Sequence, residues 1–254
     1  MVNCLSKRKF SNLLFLDLRV AGGDITALFD TGAGMTVITR SAAERLGARM
    51  EQATLPAGNN SGLVRRLQTA VLSDVRLGDI PAGELRVVVT DDAAFPAQML
   101  LGWDVISRYR WSYSAKEETL SVGRSETPSA PTDPGSRLGP VVFPSYAGRP
   151  FPARVDTGHT SSTLSGAWRA RLPNVDWHEA EIVGVGSARR QSVPCARELP
   201  LLFQGRRICL RDVDISETPY GQPPEIEALL GYDFLASGDW RLDREFQLSD
   251  GQIS

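Results

Sequence analysis

The chain contains few of the residues from which metal sites and covalent nucleophile sites are built. Its 254 residues include three cysteines and two histidines. The cysteines are odd in number and lack metal-ligand spacing, which indicates free thiols in a reducing compartment, so we expect a cytoplasmic protein. With only His159 and His178 available, we do not expect a zinc site, and we expect no other metal and no cofactor.

Long apolar runs and an excess of one charge are also missing. No stretch approaches the roughly 20 apolar residues that a membrane-spanning helix needs, and the first residues lack the apolar segment of a secretory signal. The 28 basic and 30 acidic residues give a net charge of −2. That balance gives no electrostatic reason to expect nucleic acid or a membrane surface as a partner. The composition is typical of a soluble globular protein.

The sequence does contain an internal repeat. The triplet Asp30-Thr31-Gly32 recurs as Asp156-Thr157-Gly158, at an offset of 126 residues. The segment Leu100-Leu101-Gly102-Trp103-Asp104 recurs as Leu229-Leu230-Gly231-Tyr232-Asp233, at an offset of 129 residues from 102 to 231. The second half therefore carries a net insertion of three residues between 172 and 231. Further residues keep the first offset: Gly22 and Gly148, Ala27 and Ala153, Leu46 and Leu172.

Between the two halves lies a segment rich in proline, serine and glycine. Such a composition is typical of a linker rather than of a folded element. We therefore predict an N-terminal unit at residues 1–122, a linker at 123–139 and a C-terminal unit at 140–254.

Each unit is predicted to consist mostly of strands. Segments 14–20 and 25–29 flank a Gly-Gly-Asp turn and predict a hairpin that leads into Asp30. Ser41 with Glu44 three residues later predicts a capping box, which opens a short helix that ends near Gly47. The second unit follows the same plan, with a strand at 151–155 and a helix near 167–172.

Asp104 and Asp233 each follow a glycine and an aromatic residue and precede an apolar turn. We predict that each carboxylate caps the N-terminus of a short helix. A catalytic role is the alternative.

The two Asp-Thr-Gly triplets indicate which chemistry the protein could perform. One Asp-Thr-Gly alone indicates only a turn, because an aspartate side chain readily bonds its own backbone. Two copies, each after an apolar strand, place one carboxylate in each half. Carboxylates within hydrogen-bonding range do not easily both ionise, so one keeps a proton that the other shares. The ionised partner can deprotonate a water, and the protonated partner can polarise a peptide carbonyl.

At these residues the chain resembles the aspartic peptidase family of pepsin and the retroviral proteases. The resemblance spans both units and implies an all-β fold: two tandem retropepsin-like β-barrel lobes in a pseudo-twofold bilobal unit with a cleft between them. It implies that Asp30 and Asp156 are the catalytic dyad and that Thr31 and Thr157 lock the two loops together. The supporting loop residues are then Gly32, Ala33, Gly158 and His159.

The family covers its cleft with glycine-bearing hairpins called flaps. Two glycine-bearing segments lie 28 residues after the two aspartates, and each is a good hairpin-tip sequence. The resemblance indicates two flaps, and a plain surface turn is the alternative reading of each segment. The candidate flap residues are Gly58, Asn59, Asn60, Ser61 and Gly62 in the first unit and Gly184, Val185, Gly186 and Ser187 in the second.

His159 departs from the family, which usually has a small residue directly after the triplet, as Ala33 is here. Its side chain could satisfy a backbone carbonyl. Alternatively, a protonated His159 near Asp156 would favour the ionised carboxylate and lower the apparent pKa of the dyad.

The expected function is that of an aspartic endopeptidase that hydrolyses polypeptide substrates. A catalytically silent peptide- or protein-binding module on the same fold is the alternative. We expect a monomer whose lobes pair within one chain, because the two loops have diverged, although the linker is long enough for pairing between chains.

Overall fold

The computed structural model describes residues 2–3, 13–58, 64–91, 97–125, 139–172, 175–183, 190–216, 225–243 and 245–249. These residues form three β-sheets with short helices beside them. No helix among them is long and apolar enough to cross a membrane. The all-β, two-lobed architecture expected from the sequence is confirmed. The boundaries predicted for the two units and the linker stay predictions.

The first lobe is a barrel. The first half supplies β1 Val2–Asn3, β2 Phe15–Val20, β3 Gly23–Phe29, β4 Val37–Thr39, β5 Arg49–Gly58, β6 Val64–Leu77, β7 Ile80–Thr90, β8 Met99–Leu101, β9 Tyr109–Ser114, β10 Thr119–Arg124 and the helices α1 Arg40–Arg45 and α2 Trp103–Ile106. The strands of the barrel run in the order β2-β3-β8-β4-β7-β6-β5, and Arg19 of β2 also pairs with Arg76 of β6, which closes six strands on themselves. Side chains alternate along the strands, so Leu16 and Leu18 of β2 point into the barrel core.

The second lobe repeats this plan in a curled half-barrel. The second half supplies β11 Val141–Val142, β12 Ser145–Tyr146, β13 Arg149–Pro150, β14 Ala153–Val155, β15 Thr163–Ser165, β16 Trp177–Val183, β17 Arg190–Phe203, β18 Arg206–Ser216, β19 Ala228–Leu230, β20 Trp240–Leu242, β21 Phe246–Leu248, a 3₁₀ helix Gly166–Arg171 and α3 Tyr232–Leu235. The central strand order of this lobe, β14-β19-β15-β18-β17 with β16 on β17, matches the order β3-β8-β4-β7-β6-β5 of the first lobe.

A third sheet joins the two lobes. In the order β1-β10-β9-β20-β21, strand β9 of the first lobe pairs directly with β20 of the second. Tyr113 and Trp240 face each other across this seam, and their rings stack with centroids 5.3 Å apart. Trp111 and Trp240, which lie 129 residues apart like the two Leu-Leu-Gly segments, are both buried there. Shared strands and shared apolar burial therefore hold the two lobes against each other.

The N-cap residue predicted for the first helix was wrong. Helix α1 begins after Thr39, whose hydroxyl accepts a hydrogen bond from the backbone N–H of Ala42, so Thr39 and not Ser41 is the N-cap. Thr39 ends β4 in an extended conformation, as an N-cap residue must. In the second lobe, the helix predicted near 167–172 is a 3₁₀ helix.

Candidate active site

The two aspartates leave equivalent strands at equivalent places. Asp30 directly follows β3, and its backbone N–H bonds the carbonyl of Leu101 at 3.0 Å. Asp156 directly follows β14, and its N–H bonds the carbonyl of Leu230 at 2.9 Å. In both lobes the Leu-Leu strand runs parallel to the strand that carries the aspartate. In each lobe the Leu-Leu-Gly segment therefore lies beside the Asp-Thr-Gly triplet of the same lobe.

Four hydrogen bonds lock the two loops together across the lobes. The Thr31 hydroxyl donates to the carbonyl of Val155 at 2.8 Å and accepts from the N–H of Thr157 at 3.1 Å. The Thr157 hydroxyl donates to the carbonyl of Phe29 at 2.7 Å and accepts from the N–H of Thr31 at 2.9 Å. Both threonines are almost fully buried. Hydrogen bonds between buried groups fix the separation of the loops, since breaking one leaves two polar groups without water.

Each glycine of a triplet packs against the carboxylate of the other lobe. A Cβ atom on Gly32 would lie 2.2 Å from Oδ2 of Asp156, and one on Gly158 would lie 2.5 Å from Oδ2 of Asp30. Only a residue without a side chain allows this approach. The carboxyl groups of Asp30 and Asp156 consequently reach hydrogen-bonding contact.

The electrostatics of the pair favour a proton on Asp30. Removal from water raises the pKa of Asp30 well above its usual value, and the neighbouring charge of Asp156 raises it further. The backbone N–H groups of Gly32 and Ala33 bond Oδ1 of Asp30 at 2.9 and 3.0 Å and act in the opposite direction. Burial and the second carboxylate prevail, so the net effect is a raised pKa of Asp30.

The two loops differ after the triplet. Oδ1 of Asp156 accepts from the N–H of Gly158 at 2.9 Å, whereas the N–H of His159 bonds the backbone carbonyl of Asp156 at 3.2 Å. The His159 ring places Nδ1 3.2 Å from the carbonyl oxygen of Ser161. This contact agrees with the backbone-carbonyl alternative for His159.

A matched hydroxyl side chain in each lobe supports the loop that carries the aspartate. The Thr36 hydroxyl donates to Oδ1 of Asp104 at 2.8 Å and accepts from the N–H of Gly102. In the second lobe the Ser162 hydroxyl donates to Asp233 at 2.7 Å and accepts from the N–H of Gly231. Each hydroxyl therefore ties the loop after the triplet to the Leu-Leu-Gly segment.

The N-cap prediction for Asp104 and Asp233 was wrong. The N-cap residues of α2 and α3 are Gly102 and Gly231, and the aspartates lie in the first turn of each helix. Burial raises the pKa of both carboxyls, and the bonds from Thr36 and Ser162 oppose it. Thr36 and Ser162 lie far from these aspartates in the sequence, so the residues next to each aspartate indicated only a helix cap.

Replacement of Thr36 by valine is expected to destabilise the fold by about 1–3 kcal/mol, because the Asp104 carboxylate and the Gly102 N–H lose a buried partner. Urea denaturation measures the change. Ser162→Ala should act in the same direction. Thr26→Val removes an exposed hydroxyl bond to Asp17 and should change stability by less than about 0.5 kcal/mol. Equal losses for Thr36→Val and Thr26→Val would contradict the supporting role.

The candidate flaps are described only in part. Strands β5 and β6 pair up to Gly58 and Val64, and β16 and β17 pair up to Val183 and Arg190. Each pair forms the two arms of a hairpin. The predicted tip residues Asn59, Asn60, Ser61, Gly62, Gly184, Val185, Gly186 and Ser187 lie outside the described residues.

Sequence analysis did not single out two residues near the two aspartates. The N–H of Gly139 bonds the carbonyl of Thr31 at 3.0 Å, so the end of the predicted linker supports the first loop. Arg154, only 6% exposed, lies two residues before Asp156, and the two charges interact. A charged residue inside the apolar strand β14 was the signal that could have revealed it.

The first half of the chain is similar in sequence to a known protein family. Residues 16–108 match the profile of a family described as "gag-polyprotein putative aspartyl protease". The chain is 28% identical over 200 residues to DNA damage-inducible protein 1 of Chaetomium globosum, an alignment that covers 74% of this chain and 44% of the relative.

Two further relatives are similar over shorter stretches. Protein DNA-DAMAGE INDUCIBLE 1 of Arabidopsis thaliana is 28% identical over 120 residues, which is 45% of this chain and 27% of the relative. DNA damage-inducible protein 1 of Kluyveromyces lactis is 27% identical over 129 residues, which is 47% of this chain and 28% of the relative. The chain thus spans less than half of the length of each of these three relatives.

Proposed function

We propose that the chain is an aspartic endopeptidase in which Asp30 and Asp156 form one catalytic dyad across the two lobes. The reciprocal packing of the two triplets carries this proposal. Gly32 lies against Asp156, Gly158 lies against Asp30, and the carboxyl groups meet between them. A buried pair of carboxyls that shares one proton is the arrangement that general acid–base hydrolysis needs. The match of residues 16–108 to an aspartyl protease family supports the same chemistry.

The two carboxyls take different roles at the start of the reaction. Asp30, whose pKa is raised, holds the proton and donates a hydrogen bond to the carbonyl oxygen of the scissile peptide. The carboxyl group of Asp156 accepts a proton from a water molecule held between the carboxyls. The water oxygen attacks the carbonyl carbon, and the resulting tetrahedral intermediate collapses when the amide nitrogen receives a proton from the dyad.

The lobes pair within one chain in this proposal. Three features of the described residues support it: the four threonine bonds, the pairing of β9 with β20, and the stacked rings of Tyr113 and Trp240. One chain would then supply both carboxylates and a complete site.

Incubation of the purified protein with a mixed peptide library tests the proposal. We expect internal cleavage that a pepstatin-like transition-state analogue suppresses. Binding of peptides without any cleavage, across a range from acidic to neutral pH, would instead support a silent binding module. Cleavage that the inhibitor leaves untouched would point to a contaminating peptidase.

The pH profile of kcat/KM should have an alkaline limb that belongs to the dyad. The folded-state pKa of Asp30 is raised, so its proton is present below that pKa and is lost as the pH rises through it. Loss of the shared proton removes the acid that polarises the carbonyl, and kcat/KM should then fall about tenfold per pH unit. Initial rates at substrate concentrations well below KM measure the limb. A rate that stays constant up to the highest pH at which the protein remains folded would contradict a shared proton.

A further inference from the structure

Cross-strand registers define one row of neighbouring residues in each lobe. Residues that pair directly across strands lie on the same face of a sheet. The row of the first lobe consists of Phe15, Leu28, Leu100, Val37, Val88 and Thr69. The row of the second lobe consists of Val141, Arg154, Leu229, Thr163, Asp214 and Cys195. Each member of the second row is the repeat partner of the corresponding member of the first row.

Both rows lie on the face of the sheet that carries the dyad. Leu28 and Arg154 each precede their aspartate by two residues, and alternation along a strand puts such pairs on one side. Leu28 and Leu100 belong to a small apolar cluster separate from the main core, whereas the intervening Phe29 belongs to the main core. Leu28 and Arg154, which lie two residues before the aspartates, therefore face the cleft and not the interior of a lobe.

The two rows differ in chemistry. The first row is apolar except for Thr69 at its end, but the second row carries Arg154, Thr163 and Asp214 in the places of Leu28, Val37 and Val88. Asp214 is separated from Arg154 by the strands β19 and β15. Arg154 and Asp156 have similar exposed fractions, 6% and 8%. The charges of Arg154 and Asp156 interact, so a substrate that reaches the Asp156 carboxylate comes near the guanidinium.

Arginine keeps its charge in this setting. Burial lowers the pKa of Arg154, and the charges of Asp156 and of the exposed Glu225 oppose that change. A guanidinium offers a planar set of donors that fits a carboxylate with two parallel hydrogen bonds. An apolar substrate side chain laid over Arg154 would remove water from the guanidinium and return no hydrogen bond.

We propose that the second-lobe side of the cleft is a subsite for an acidic side chain, with Arg154 as its specificity-determining residue. The inference rests on the endopeptidase function proposed above. A substrate glutamate or aspartate next to the scissile bond would lie against Arg154. The residue on the other side of the bond would lie against the apolar row around Leu28. Cleavage thus occurs between one apolar and one acidic residue.

Peptide series test this subsite. A peptide that the wild-type protein cleaves is made with glutamate, glutamine or leucine at each of the two positions that flank the scissile bond, one position at a time. The wild-type protein should prefer glutamate over glutamine about tenfold or more in kcat/KM, on one side of the bond only. Arg154→Leu, which installs the residue found at position 28, should abolish that ratio and favour leucine. Arg154→Lys should retain part of the ratio.

Controls separate this inference from the function on which it rests. Leu28→Met changes the matched position of the first lobe and should leave the glutamate-to-glutamine ratio unchanged. Absence of any cleavage by the wild-type protein would remove the endopeptidase proposal itself. Cleavage by the wild-type protein with no preference for glutamate on either side would overturn the subsite alone, even if Arg154→Leu fails to fold. Retention of the full ratio in Arg154→Leu would overturn it as well.

Discussion

Asp30→Asn and Asp156→Asn are each expected to lower kcat for peptide cleavage by about 10³-fold or more. Asparagine keeps the size and shape of the side chain but can neither share a proton nor accept one from water. The two carboxyl groups contact each other, so loss of either one ends the sharing. Single-turnover and steady-state rates on the same peptide measure the loss, and both variants should show it equally.

The stability of Asp30→Asn provides its fold control. The folded-state pKa of Asp30 is raised, so the contribution of this aspartate to stability falls as the pH rises. It is lowest above that pKa, where the folded protein must hold a buried negative charge on Asp30. The neutral variant should therefore melt a few degrees higher than the wild type near pH 7 and at the same temperature near pH 3. An Asp30→Asn or Asp156→Asn protein that is folded and keeps near-normal activity would refute the shared-proton mechanism.

Gly32→Ala is expected to lower kcat/KM by about 100-fold or more, because the new Cβ would overlap the carboxylate of Asp156. The carboxylate must shift, and the hydrogen-bonding contact of the dyad is lost. Gly158→Ala should have the same effect through Asp30. Progress curves for one cleavable peptide measure both variants against the wild type.

Gly123 in β10 supplies the matched control for these variants. A Cβ atom there would meet nothing closer than the Arg110 carbonyl oxygen at 4.0 Å. Gly123→Ala should therefore keep wild-type kcat/KM. A Gly32→Ala protein with activity equal to that of Gly123→Ala would show that the close approach of the loops is not needed for cleavage.

The general position of the site was predictable because both of its motifs are repeated. A triplet after an apolar strand and a Leu-Leu-Gly segment about 70 residues later recur in each half, and such long-range regularity reflects a shared lobe structure. The structure also restricts the position of the three-residue insertion in the second half. Asp214 keeps the offset of 126 from Val88, and Leu229 has the offset of 129 from Leu100, so the insertion lies between 214 and 229.

Contacts between residues far apart in the sequence could not be predicted from the neighbouring residues alone. Asp104 resembled a helix cap because its neighbours in sequence form a helical turn, yet its hydroxyl partner, Thr36, lies 68 residues away. The pairing of β9 with β20 depends on two strands with no shared motif except a tryptophan. Arg154 stands out as a charged residue in an apolar strand, but its role could not be predicted because it depends on the register that aligns it with Leu28.

Active-site titration with a tight-binding transition-state analogue tests the central claim most directly. The claim is that one chain supplies both carboxylates of a working peptidase dyad. Peptide cleavage by a known concentration of the protein is measured at increasing inhibitor concentration, and Asp30→Asn serves as the blank. We expect activity to reach zero at one inhibitor molecule per chain. An end point at one inhibitor per two chains would place the dyad between chains, and cleavage that the inhibitor never reduces would contradict the dyad itself.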